Sequence, residues 1–137
     1  MKKQLMALVG VGLLLATVSA YAQTIRVKAQ VPFDFIANHE TLPAGEYSIQ
    51  SLGFDSTLLI RNADMKEHAI VNSNRCESGK PAEKTKLVFR KYGDRYFLAE
   101  VWVEGMESGH AFAKSPREAE VARDFTMQNV VIVASLH

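Results

Sequence analysis

The stretch Lys86-Leu87-Val88-Phe89-Arg90-Lys91-Tyr92-Gly93-Asp94-Arg95-Tyr96-Phe97-Leu98-Ala99-Glu100-Val101-Trp102-Val103 decides the fold class. Two runs rich in β-branched and aromatic residues flank Gly93-Asp94, which is a hairpin signal. Two registers compete. A two-residue Gly93-Asp94 turn pairs Lys91 with Tyr96 and Arg90 with Phe97, and each face then mixes charged and apolar groups. A shift of one residue sets Lys91 against Phe97, Phe89 against Ala99 and Leu87 against Val101. One face becomes Leu87, Phe89, Phe97, Ala99, Val101 and Val103. The other becomes Lys86, Val88, Arg90, Tyr92, Tyr96, Leu98, Glu100 and Trp102. A slip of one residue exchanges faces, so a buried face selects the second register, with a longer loop.

The same period of two runs outward in both directions. Ile25, Val27, Ala29, Val31, Phe33 and Phe35 alternate with polar residues, and Pro32 requires an edge or a bend. Leu42-Pro43-Ala44-Gly45 turns into a strand carrying Tyr47 and Ile49 that stops near Gly53. Ser56 to Arg61 and His68 to Asn72 flank the turn Asn62-Ala63-Asp64. Asn72 to Pro81 reads as a polar loop holding Cys76. Gly105 to Gly109 reads as a loop and His110 to Lys114 as a short strand. Ser115-Pro116-Arg117-Glu118 has the capping-box pattern with proline at the first helical position. The helix should end near Asp124 and present Ala119, Ala122 and Phe125. Val130-Val131-Ile132-Val133-Ala134 is uninterrupted and β-branched, so it is expected inside the sheet. The expected fold is all-β and mainly antiparallel: a small β-sandwich or barrel of about seven or eight strands with one short C-terminal helix.

The first 22 residues read as an address. Lys2 and Lys3 precede the uncharged run Leu5 to Val18, which is shorter than the ~20 residues of a membrane-spanning helix. Ser19-Ala20-Tyr21-Ala22 places small residues for cleavage after Ala22, so a cleavable secretory signal peptide is expected over 1–22 and a single β-rich domain over 23–137. The location expected is periplasmic or secreted. Without Lys2 and Lys3 the chain keeps 14 basic and 15 acidic residues. That balance gives no electrostatic footprint for nucleic acid or anionic lipid. A lone Cys76 permits no disulfide within the chain; it reads as an incidental loop thiol or one open to intermolecular pairing.

Several of these stretches occur together in a recognisable order. Val31-Pro32-Phe33-Asp34-Phe35, Leu42-Pro43-Ala44-Gly45-Glu46-Tyr47, Leu58 to Asp64, Lys86-Leu87-Val88-Phe89, Tyr92-Gly93-Asp94-Arg95-Tyr96-Phe97-Leu98 and Ser115 to Glu118 resemble a family of small exported β-rich proteins. That family occurs chiefly in acidobacteria and has no assigned activity. The resemblance covers most of Val31 to Arg123. It implies an exported β-rich domain and carries over no catalytic residue.

Chemistry is sparsely signalled. His39, His68, His110 and His137 form no ligand-spaced pair, and H-E-x-x-H is absent, so neither metal nor other cofactor is expected. G-x-S-x-G is absent. Glu100 is a lone acid, and its simplest partner is Arg90 on the neighbouring strand. No catalytic motif points to an enzyme. A candidate ligand-binding set remains: Arg90, Tyr92, Tyr96, Glu100 and Trp102 on the mixed face of the hairpin, with Lys86 opposite Trp102 for a cation–π contact. The competing reading is that the C-terminal helix covers this face. The leading expectation is a non-enzymatic binding or structural role in the cell envelope, toward a protein or small-molecule partner. The alternative is a carrier of a small hydrophobic or carbohydrate ligand near Trp102.

Overall fold

The computed structural model describes residues 26–52, 56–64 and 66–136. The expected signal peptide over 1–22, Gln23 to Ile25, Gly53 and His137 therefore lie outside the described residues. Among the described residues, twelve strands and one helix appear in the order β1 (Arg26–Val31), β2 (Phe35–Ala37), β3 (Glu40–Leu42), β4 (Gly45–Ser51), β5 (Thr57–Asn62), β6 (His68–Asn72), β7 (Asn74–Glu77), β8 (Lys86–Tyr92), β9 (Arg95–Trp102), β10 (Ser108–Ala111), α1 (Pro116–Ala122), β11 (Met127–Val133) and β12 (Ser135–Leu136). They form a β-sandwich. A five-stranded sheet runs β12-β1-β4-β5-β6. A seven-stranded sheet runs β11-β8-β9-β10-β7, with the β2–β3 hairpin beside β9. The strands beyond the expected seven or eight are short pieces such as β2, β3, β7 and β12.

The short pieces arise because the chain repeatedly crosses between sheets. Pro32 breaks the long first run, so β1 lies in one sheet and β2 in the other. The return crossing lies between β3 and β4, and both corners are tied together. Asp34 Oδ1 accepts from the Ala44 N–H at 2.9 Å, and the Tyr47 hydroxyl donates to Pro43 O at 2.5 Å. Tyr47 is buried, and burial pushes its phenol pKa up. Val-Pro-Phe-Asp-Phe and Leu-Pro-Ala-Gly-Glu-Tyr are thus two halves of one corner. Further crossings occur at Ser73, between β6 and β7, and at Ala134, between β11 and β12. Cys76 therefore lies on a strand, paired with Gly109 of β10, and not in a loop. β10 begins at Ser108, two residues before the expected start at His110.

The main core lies between the sheets, around Val31, Phe35, Leu42, Tyr47, Ile60, Val71, Leu87, Phe89 and Leu98. Its aromatic centre is edge-packed: Phe35 meets Tyr47 at 5.1 Å and Phe89 at 5.3 Å.

The β8–β9 hairpin uses both competing registers. Tyr92 pairs with Arg95, Lys91 with Tyr96, Arg90 with Phe97 and Phe89 with Leu98. The two-residue turn thus forms, against the expectation of a longer loop. Gly93 has φ +62, as the first central position of a primed hairpin turn requires. A bulge between Val88 and Phe89 then shifts the pairing to Val88 with Glu100, Leu87 with Val101 and Lys86 with Trp102. Ala99 is the extra residue, and its carbonyl accepts from Phe112 N at 2.8 Å. One inserted residue exchanges faces along β9. Tyr96 and Leu98 turn to the main core, and Phe97 turns outward to meet α1.

The last long strand also differs from expectation. β11 is an edge strand, hydrogen-bonded to β8 alone in its sheet. Val130 and Ile132 pack on the core, whereas Val131 is 46% and Val133 60% exposed. The uninterrupted β-branched run hides an alternation, because one set of valines faces solvent.

Candidate functional site

The seven-stranded sheet has an outer face that α1 covers at one end only. Pairings of β11, β8 and β9 place side chains there in cross-strand rows. Asn129, Arg90 and Phe97 form one row, Val131, Val88 and Glu100 the next, and Val133, Lys86 and Trp102 the last.

α1 closes the first row. Ser115 Oγ caps it by accepting from Glu118 N at 3.1 Å. The reciprocal half of the capping box is not made, because the Glu118 carboxylate turns into the sheet. Its Oε2 accepts from Arg90 Nε at 2.5 Å and from the Tyr92 hydroxyl at 2.7 Å. Its Oε1 accepts from Arg90 Nη2 at 3.1 Å, and the same nitrogen donates to Phe112 O at 2.9 Å. Glu118 is only 2% exposed. A buried carboxylate is tolerated here because a bidentate guanidinium and a phenol hydrogen-bond to it. Burial, with the Glu118 hydrogen bond and charge adding to it, pushes the Tyr92 pKa up to about 12. The helix buries Glu118 and Val121, and Val121 joins Ile36, Tyr92 and Phe97 in a second small core. The expected contact face of Ala119, Ala122 and Phe125 is corrected: Ala119 is exposed, Ala122 is half-buried, and Phe125 is half exposed with its ring against Gly93.

The five candidate residues are therefore divided. Arg90 and Tyr92 are sealed beneath α1. Tyr96 faces the core, stacked on Phe33 with centroids 3.7 Å apart and Lys91 Nζ 5.5 Å from its ring. Glu100 and Trp102 remain together on the open end. Trp102 Nε1 donates to Glu100 Oε1 at 2.7 Å, so Glu100 is held by the indole and Arg90 is taken by Glu118. The indole lies against β10 at Gly109, where a Cβ would sit 2.7 Å from Trp102 Cε3. Lys86 is the register partner of Trp102, as the sequence suggested, but the described cation–π contact is that of Lys91 with Tyr96. Cys76 is half-buried nearby, and burial first, then the Glu100 charge, pushes its thiol pKa up. That opposes thiolate reactivity.

The open end thus consists of Val131, Val133, Val88, Lys86, Glu100 and Trp102. The valines of β11 were missed because a continuous apolar run conceals which side is wet. Their alternate positions, 131 and 133 against 130 and 132, were the available signal.

Two other polar features stand apart from this face. Ser73 Oγ donates to Ser56 O at 3.2 Å and lies 2.9 Å from His110 Nδ1, tying the β6–β7 corner to β10. Shallow clefts of 330 and 220 Å³ lie along β1 and β4, both lined by the Lys28–Glu46 ion pair at 3.2 Å, and the first reaches the outer face only at Val133. Among the described residues no group of three or more His, Cys, Asp or Glu converges as a metal site. Among them, too, no helix is long and apolar enough to cross a membrane.

No protein-family model, no curated protein and no solved structure matches this chain.

Proposed function

We propose that this chain is an exported envelope domain that binds another protein, without catalysis, through the uncovered end of its larger sheet. One observation carries the reading. An apolar strip runs from the exposed Val133 and Val131 past Val88, which is buried, to the half-buried Trp102, with Lys86 and Glu100 at its flanks. A face of this composition suits the centre of a protein interface, where an aromatic anchor sits among aliphatic groups with charges at the rim. It is open and strand-based, and the shallow 330 Å³ cleft touches it only at Val133, so a protein surface of aliphatic character fits it better than a small molecule. The basic start, apolar run and Ala20-Tyr21-Ala22 site support export, as does the resemblance to small exported proteins. The second reading, a small hydrophobic or carbohydrate ligand at Trp102, is favoured by the half-buried indole held by Glu100.

Native mass spectrometry of the protein purified from its own envelope fraction tests both. Export predicts a chain beginning at Gln23. Protein binding predicts a complex with a different polypeptide that Val133→Asp disrupts while leaving the thermal melt unchanged. A bare chain, or a polypeptide adduct indifferent to Val133→Asp, rejects the surface. A bound mass of a few hundred daltons, lost with Trp102→Ala, selects the small-ligand reading.

A further inference from the structure

We infer that the free edge of β11 pairs with β11 of a second copy, antiparallel, about a two-fold axis through Val130. In an antiparallel pair every second residue directs its N–H and C=O away from its neighbour, so an edge strand offers a ready ladder to another strand. Soluble β proteins guard such edges with charge, proline, bulges or brevity. Met127-Gln128-Asn129-Val130-Val131-Ile132-Val133 has none of these: it is seven residues long, uncharged and free of proline and glycine. The other edges are better guarded. β7 carries the Arg75–Glu77 ion pair at 2.9 Å. β12 has two residues and β3 three, and β6, with Ile70 61% exposed, is shorter at five residues and sets His68 and Asn72 at its ends.

The occupant follows from self-complementarity. A two-fold axis at Val130 sets Met127 against Val133 of the second copy, Gln128 against Ile132, Asn129 against Val131, and Val130 against its own counterpart. On the outer face the exposed Met127, Val131 and Val133 thus meet only apolar or amide groups. No charge opposes a charge. In the next rows Lys86 and Arg90 stand behind Val133 and Asn129, so the Lys86 row continues toward Tyr92 of the second copy and the Arg90 row toward Val88. Such an interface is isologous and closes at two copies, joining two seven-stranded sheets edge to edge. The inference stands apart from the binding reading above, since a monomer presents the same open face and the test below reads association state alone.

Analytical ultracentrifugation of the mature chain, with circular dichroism to verify folding, provides the test. The wild-type chain should sediment as a dimer at about 100 μM. Asn129→Glu combined with Val131→Lys should keep the dimer, because each introduced carboxylate meets an introduced ammonium across the axis. Asn129→Glu combined with Val131→Glu should weaken it about tenfold or more, because like charges then face each other twice. Both positions are exposed at the edge, so both variants should melt as monomers near the wild-type temperature. A wild-type monomer at that concentration would falsify the inference. A dimer indifferent to both pairs rejects β11 as the interface, and equal loss in both rejects the two-fold axis at Val130.

Discussion

At Gly109 an added Cβ would lie 2.7 Å from Trp102 Cε3 and 2.8 Å from Val101 O. The second neighbour is backbone and cannot swing aside, so the indole must move. Gly109→Ala should therefore lift Trp102 off β10, break its 2.7 Å bond to Glu100 and destabilise the fold by about 1–3 kcal/mol. Trp102 is the chain's one tryptophan, so its emission reports the change directly. A red shift with a lowered melting temperature is expected, and unchanged emission would show that the indole is not held there. Of the five candidate site residues, alternation alone placed Glu100 and Trp102 together on the outer face. It misplaced Tyr96, because Ala99 is inserted between them and reverses the parity of the strand. Whether a strand carries one extra residue depends on its partner, and no local preference announces it.

The helix shows the same division at the scale of an element. Ser115, Pro116 and Glu118 set where α1 begins, and the sequence pattern revealed this without any partner. Only the sheet determines that the Glu118 carboxylate turns to Arg90 and Tyr92 instead of back to the cap. α1 has seven residues, too few to persist alone in water, so its docking depends on that cluster. Glu118→Ala should cost about 3–5 kcal/mol, since it leaves the Arg90 guanidinium buried without its carboxylate. Ser115→Ala should cost about 1 kcal/mol, the usual value of a cap. Urea unfolding of both variants measures the ratio. Equal costs would mean that the Arg90–Glu118 pair adds nothing beyond helix initiation. β11 is the converse case. Its β-branched run fixed strand identity, but an interior strand and an exposed edge strand read alike until the neighbouring strands are known.

For the whole molecule, stability should depend on pH through Tyr92. Its phenol has a folded pKa of about 12 against an ordinary value of 10.0. The neutral form is thus favoured in the folded state. The resulting stabilisation is fully present below pH 10 and is lost as pH rises toward 12. An alkaline fall in melting temperature over that window is expected, and Tyr92→Phe should reduce it, leaving the contribution of Tyr47, whose pKa burial also raises. Residues 23–137 hold three tyrosines, Tyr47, Tyr92 and Tyr96, so absorbance titration of the variant over that segment identifies the missing phenol. A wild-type slope retained in Tyr92→Phe would assign the alkaline transition to another group. By itself the sequence determined an all-β chain, most strand positions, a chain reversal around Gly93-Asp94 and the start of the helix. These follow from side-chain period, turn chemistry and capping, which act over a few neighbouring residues. Only the tertiary structure decided the sheet crossings at Pro32, Ser73 and Ala134, the bulge at Ala99, the burial of Glu118 and the exposure of Val131 and Val133. Each of these depends on which distant strand lies alongside, and the hydrophobic pattern of a single segment is the same for either answer.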